Sequence, residues 1–277
     1  MRNQKNKPMR LTILLSVISI AAISCNKPKK SAPINSAPKW DLVWEDNFEV
    51  PGLPDSTVWN YEVGYIANSE VQIYTKERLE NVRVEDGILI IEARKEFWKG
   101  DSITSGRINT YGKKSMLYGR IEVKAKLPTG VGTWPAIWML GDAHKEGTRW
   151  PECGEIDIME NVGYEPDIIH ANIHTKAYNH KIGTNKGNKI SIEKPWENFN
   201  IYAVEWFEDH MDFYLNDELY FSYKNEGTGN DVWPFDKPHY LLINLAIGGS
   251  WGGNEGIDDN IFPQKYYIDY VKVYKKK

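Results

Sequence analysis

The chain has little with which to tie itself together covalently. Its 277 residues include two cysteines, Cys25 and Cys153, so stability has to come mainly from buried apolar surface. A positive surplus is also missing, with a formal net charge of −4 and a pI near 5.9. Basic residues crowd the N-terminus, so the remainder is more acidic still and no nucleic-acid partner is expected. Helical periodicity is nearly absent, and no repeat of fixed period is present, which sets aside propellers and solenoids. One long apolar run occurs, Leu11 to Ser24, too short to span a bilayer comfortably.

That run follows the basic leader "MRNQKNKPMR" and ends in small residues before Cys25, the layout of a secretory signal peptide over residues 1–24. Ala22, Ile23 and Ser24 ahead of Cys25 resemble the lipobox of bacterial lipoproteins, with Ala22 where Leu is commonest. An ordinary signal peptide cut nearby is the alternative. Lipidation of Cys25 would leave Cys153 without a bridge partner. The next stretch, "NKPKKSAPINSAPK", has almost nothing to bury and reads as a flexible tether over residues 25–39. The expectation is a lipid-anchored protein of the bacterial cell envelope, at the outer membrane on its periplasmic or surface face, meeting the membrane through its anchor alone. Residues 40–277 then form one domain, expected to act as a monomer.

Within that domain, short β-rich runs recur between turn signals such as "EDGI", "LPTG" and "LNDE". Many alternate, as in "RIEVKAKL", where Ile121, Val123, Ala125 and Leu127 share a face. Others, such as "HYLLINLAI", are apolar throughout and suggest strands covered on both sides. Eleven or more such strands predict an all-β fold, a two-sheet sandwich or jelly roll. The eleven Trp and sixteen Tyr exceed what such a core needs. Trp134, Trp150 and Trp251 stand beside Gly, Pro or acids, where an indole can stack on a sugar ring; core or corner positions are the alternative.

The stretch "CGEIDIMENVG" places three carboxylates on one predicted strand. Under strict alternation Glu155 and Asp157 share a face, while Glu160 falls among Ile156 and Ile158 on the buried side. Burying a lone carboxylate costs several kcal/mol. One extra residue at Met159, accommodated as a β-bulge, would return Glu160 to the face of Glu155 and Asp157. Paired carboxylates are the usual machinery of glycosidic-bond hydrolysis, about 5–5.5 Å apart in retaining enzymes. The two glutamates lie roughly four strand steps apart, about 13 Å of rise, a gap that inward-leaning side chains on a curved sheet would narrow. Asp157 can hydrogen-bond to one glutamate and raise a neighbour's pKa. A solvated acidic edge or a cation site is the alternative.

"GEIDIMEN" resembles the active-site signature of glycoside hydrolase family 16 in its bulged, laminarinase-like form. "NSEVQIYT", "SGRINTYGKKSMLYGRIEVKAKLPTGVGTWPAIWMLG", "IHANIHT", "YAVEWFEDHMDFYLND", "LLINLAIGGSWGG" and "YYIDYVKVY" extend the likeness over nearly all of residues 40–277. The resemblance implies a concanavalin-like β-jelly roll of two antiparallel sheets, with a concave cleft for a β-glucan. It casts Glu155 as nucleophile, Glu160 as acid/base and Asp157 as the assisting carboxylate. It places Trp134, Trp138, Trp150 and His174 near the cleavage point, and Asn68, Arg107, Asn244 and Trp251 on the glycone side. It implies no cofactor for catalysis, and a structural calcium on the convex side with Gly87 and Asp269 among its ligands; Asn47 stands where a further acid is common.

Competing readings remain open at this level. Trp138 could be core and Arg107 a surface residue. Of His170 and His174, one is expected to face the cleft and the other the back of the sheet. A zinc reading of that pair lacks a third nearby ligand, and "GGSWGGN" lacks the lysine and helix of a phosphate loop. The preferred function is a retaining endo-β-glucanase cutting β-1,3 or β-1,4 bonds in laminarin or mixed-linkage glucan. A non-catalytic β-glucan-binding lectin and a galactan-active hydrolase on the same fold are the alternatives; lectins of this kind have usually lost one or both glutamates, and both are present.

Overall fold

A computed structural model describes residues 40–277; the proposed signal peptide and the whole of the proposed tether, Cys25 included, lie outside the described residues. Seventeen strands and three short 3-10 helices make up the described elements. They form two sheets. One has seven strands, in the order Lys186–Ser191, Ile168–His174, Glu155–Glu160, Thr133–Gly141, His239–Ile247, Arg107–Asn109 and Asn60–Tyr61. The other has ten, centred on Gly119–Lys126, Gln264–Lys276 and Ile88–Trp98. Pairing is antiparallel except where Ile73–Tyr74 runs parallel to Asp101–Ser105, one departure from the expected all-antiparallel sheets.

Alternation decides which side of each strand meets the core. Ile121, Val123 and Ala125 are fully buried, while Glu122 and Lys124 on the same strand reach toward solvent. The inner faces of both sheets meet in one apolar cluster that includes Ile121 and Val204 from one sheet and Ile137, Ile156 and Ile243 from the other. Each such side chain contributes about 1.5–3 kcal/mol by leaving water. The continuous apolar strand His239–Ile247 is buried at every position. Its inner residues join the main core. On its other face, Tyr240 and Leu242 pack with Leu140 and Cys153 beneath Tyr111, Trp138, Ala143 and Trp150. Its second cover is therefore a layer of side chains on the outer face of the sheet, the face that also carries the acids.

Candidate active site

Pairing along Glu155–Glu160 contains the expected irregularity. Asp157 lies opposite Trp138 and Met159 opposite Ile137, so two steps on this strand match one on its neighbour. On the other side Asp157 pairs with Asn172 and Glu160 with His170. The residue left without an opposite number against Thr133–Gly141 is Ile158, not Met159. Ile156, Ile158 and Met159 are all fully buried in the main core. The bulge thus sinks two consecutive apolar side chains and turns Glu160 to the outer face with Glu155 and Asp157.

Each glutamate receives an indole N–H. Trp150 Nε1 donates to Glu155 Oε2 at 2.9 Å, and Trp134 Nε1 donates to Glu160 Oε1 at 3.0 Å. Asn172 Nδ2 reaches Glu160 Oε2 at 3.5 Å. His174 Nε2 lies 3.3 Å from Asp157 Oδ2 and 3.7 Å from Glu155 Oε1. Both histidines in "HANIHT" face the acids, against the expectation that they would split. They are four residues apart, an even number, and the core takes Ile169, Ala171 and Ile173 from between and beside them. His170 sits edge-on to Trp251 with ring centres 4.9 Å apart and does not converge with His174 on a common ligand position. Glu155, Asp157 and His174 do bring ligand-type atoms within 4.8 Å of one another, a spacing that also suits shared protons.

Burial shapes the electrostatics. It pushes Glu155 up to about 8, helped by the Asp157 charge and opposed by His174 and the Trp150 hydrogen bond. Burial, with the Glu160 charge, holds Asp157 well above the ordinary carboxylate range. Glu160 is also raised by burial, against His174, Trp134 and Asn172. Three adjacent carboxylates in low dielectric do not all ionise, and Asp157, only 2% exposed, is the one most strongly biased toward its neutral form.

Other predicted residues gather beside this cluster. Trp138 is half-buried and donates to Asn244 Oδ1 at 2.8 Å, while Asn244 donates to the Tyr74 hydroxyl at 3.2 Å. Arg107 is buried, not a surface residue; its guanidinium lies 4.7 Å from the Trp138 ring centre, with Nε 2.6 Å from Glu62 Oε2. Trp251 packs edge-on to Trp134, ring centres 5.6 Å apart. Asn68 is exposed in a left-handed turn (φ +56°), 3.4 Å from Glu70 Oε1, and its carbonyl accepts from Ser250 N. Sequence reading missed Glu62, Glu70, Tyr74, Asn172 and His180; for Asn172 the signal was its even spacing from His174. Beyond Glu160, His170, Asn172, Asn185, Gly187, Asn188 and Lys189 line a cavity of about 300 Å³. Gly87 occupies a turn at φ +77°, and Asp269 Oδ2 is 2.7 Å from Lys124 Nζ. That surface ion pair would have to open for Asp269 to ligate calcium.

The arrangement can exchange protons and attack an electrophilic carbon from one sheet face. Residues 67–272 match the model for glycosyl hydrolases family 16. The chain is 46% identical to a beta-glucanase of Rhodothermus marinus, over 98% of this chain and 96% of that one. The X-ray structure of the laminarinase from Rhodothermus marinus superposes with a TM-score of 0.84 at 46% identity, covering 87% of this chain and 99% of that one. A mutant of a non-specific endo-β-1,3(4)-glucanase, presenting 1,3-β-D-cellobiosyl-glucose at its active site, superposes with a TM-score of 0.82 at 44% identity, covering 86% and 95%. With most of its length inside the family model and such relatives across the fold, the chain belongs to glycoside hydrolase family 16.

Proposed function

We propose that the chain is an endo-β-glucanase that cleaves β-1,3 or β-1,4 bonds in laminarin-type or mixed-linkage glucans with retention of configuration. The observation that carries this reading is the bulge at Ile158, which sets Glu155, Asp157 and Glu160 on one outer sheet face with an indole donor on each glutamate. Glu155 serves as nucleophile. Asp157 holds a proton and donates it as a hydrogen bond toward Glu155, which removes the charge that otherwise raises Glu155 and leaves its anion with two donors. Glu160, raised by burial, protonates the departing glycosidic oxygen. As that bond breaks, a Glu155 oxygen bonds the anomeric carbon. Glu160, now ionised, takes a proton from water, which attacks the same carbon and expels Glu155. The cavity past Asn172 gives the departing chain a polar bed.

A lectin role is disfavoured because both glutamates are present and bonded as acids of a reaction would be. The segments shared with laminarinase-like sequences disfavour galactans. Reducing-sugar release from laminarin, lichenan and barley glucan tests the reading, with anomeric NMR of early products for retention. Glu155→Gln should abolish release while glucan binding persists. A folded wild-type protein inert toward all three glucans would overturn it.

We also propose that residues 1–24 are a signal peptide and that Cys25 carries a lipid, holding the domain at the cell envelope as a monomer. The leader, the small residues before Cys25 and the Pro- and Lys-rich stretch after it support this. Mass spectrometry of the mature N-terminus tests it: an unacylated terminus cut away from Cys25 counts against the anchor.

A further inference from the structure

The Trp150 ring does not lie bare beside Glu155. His180, in the short helix His180–Ile182, packs on it with ring centres 5.0 Å apart and planes inclined by 36°. Lys181 Nζ sits 4.7 Å from the same ring centre. His180 also stands edge-on to His174, ring centres 5.1 Å apart, so it bridges the donor of Glu155 and the imidazole between the acids.

The segment presenting these two side chains is built to hold its shape. Asn179 is buried at its root and donates through Nδ2 to the carbonyls of Thr175 and Lys176. Its N–H donates to Thr184 Oγ1, and its carbonyl accepts from Thr184 N. Thr175 Oγ1 accepts from Tyr178 N, and Gly183 closes the turn at φ +67°. Such a self-bonded arm fixes the backbone from which His180 and Lys181 project before any substrate arrives.

We propose that His180 and Lys181 are positioning residues that clamp Trp150, holding its Nε1–H on Glu155, and that Trp150 aims the nucleophile and is not a platform for sugar stacking. Ring area occupied by an imidazole and an ammonium is lost to a sugar, whereas a fixed N–H favours the carboxylate form of Glu155. Burial lowers the pKa of His180, with His174 and Lys181 adding to it, so the packed partner is the neutral imidazole at neutral pH. The inference rests on Glu155 acting as the nucleophile.

The test compares His180→Ala, His180→Phe, Lys181→Ala and Trp150→Phe with the wild type on laminarin and lichenan. His180 and Lys181 are exposed, so their replacement leaves the core intact. His180→Ala and Lys181→Ala should each lower kcat about three- to tenfold with KM within about twofold. Trp150→Phe, which keeps the ring and loses the N–H, should lower kcat by at least as much. His180→Phe, which restores a flat partner, should recover most of the wild-type rate. Losing the aimed N–H raises the pKa of Glu155, so the acidic limb of kcat/KM should move to higher pH in His180→Ala and Trp150→Phe. The other groups facing Glu155, namely Asp157, Glu160 and His174, are unchanged in both. Wild-type kcat in His180→Ala overturns the proposal, as does a loss carried by KM while Trp150→Phe is harmless, the result expected of a sugar platform. A wild type inactive on every glucan would instead overturn the glucanase reading on which the proposal rests.

Discussion

His174 Nε2 lies 3.3 Å from Asp157 Oδ2, with both side chains nearly sealed from water. Neither that oxygen nor His174 Nδ1 has an aligned hydrogen-bond partner among the described residues. A buried carboxyl with a free acceptor and two glutamates on its own strand is better accommodated neutral than charged.

Asparagine, uncharged at every pH, should therefore stand in for Asp157 far better than alanine does. Asp157→Asn is expected to keep kcat within about tenfold of wild type, whereas Asp157→Ala loses about 10²-fold. Initial rates at neutral pH decide it. Equal damage from the two variants would mean that Asp157 works as an anion.

Trp134 lowers the pKa of Glu160 through its indole hydrogen bond, against burial, which raises it. Trp134→Phe removes the donor, so Glu160 keeps its proton to higher pH. As the acid in the first step, Glu160 must be protonated, and the alkaline limb of the pH–rate profile should move upward. An unmoved or lowered limb would assign that limb to another group.

Arg107 and Glu62 form a buried pair, supported by Lys145 Nζ at 2.9 Å from Glu62 Oε1. Burial pushes Glu62 up, but the Arg107 charge and the Lys145 contact outweigh it and hold Glu62 below the ordinary carboxylate range. Stability from Glu62 is thus present above that range and is lost as pH falls from it through the lower value of the folded chain. Arg107→Met should cost about 3 kcal/mol near pH 7, because Glu62 is left half-paired in the interior. Urea titrations should show that deficit shrinking under acid conditions. A deficit independent of pH would assign the loss to packing over Trp138 instead.

Gly187 runs so close to its neighbour that an added Cβ would meet Asn172 Oδ1 at 2.2 Å and the Ala171 carbonyl oxygen at 2.4 Å. Asn172 is also held by Asn185 Nδ2 at 3.0 Å and reaches Glu160. Gly187→Ala should displace the edge strand, cost about 1–3 kcal/mol and lower kcat through Glu160. Calorimetry with steady-state kinetics checks both, and an unchanged melting temperature with full activity would refute the close approach.

Local chemistry made much of this legible. Glu160 at an odd spacing from Glu155 demanded a bulge, because the alternative was a lone carboxylate in the core. The even spacing of Ile121, Val123 and Ala125 marked the inner face. The pattern predicts the extra residue at Met159 and the structure puts it at Ile158, since both are apolar and either satisfies the alternation. Alternation also puts His170 and His174, four positions apart, on one face, and both lie on the face opposite Ile169, Ala171 and Ile173.

Alternation, a local property of backbone geometry, let the sequence by itself determine the all-β class, the acidic strand and the need for its irregularity. Only the tertiary structure decided which distant side chains meet. Arg107 finds Glu62 across 45 positions, and Trp150 lies under His180 from a separate loop. Such contacts depend on strand order and loop path, set by the burial of the whole core and not by any neighbouring residue.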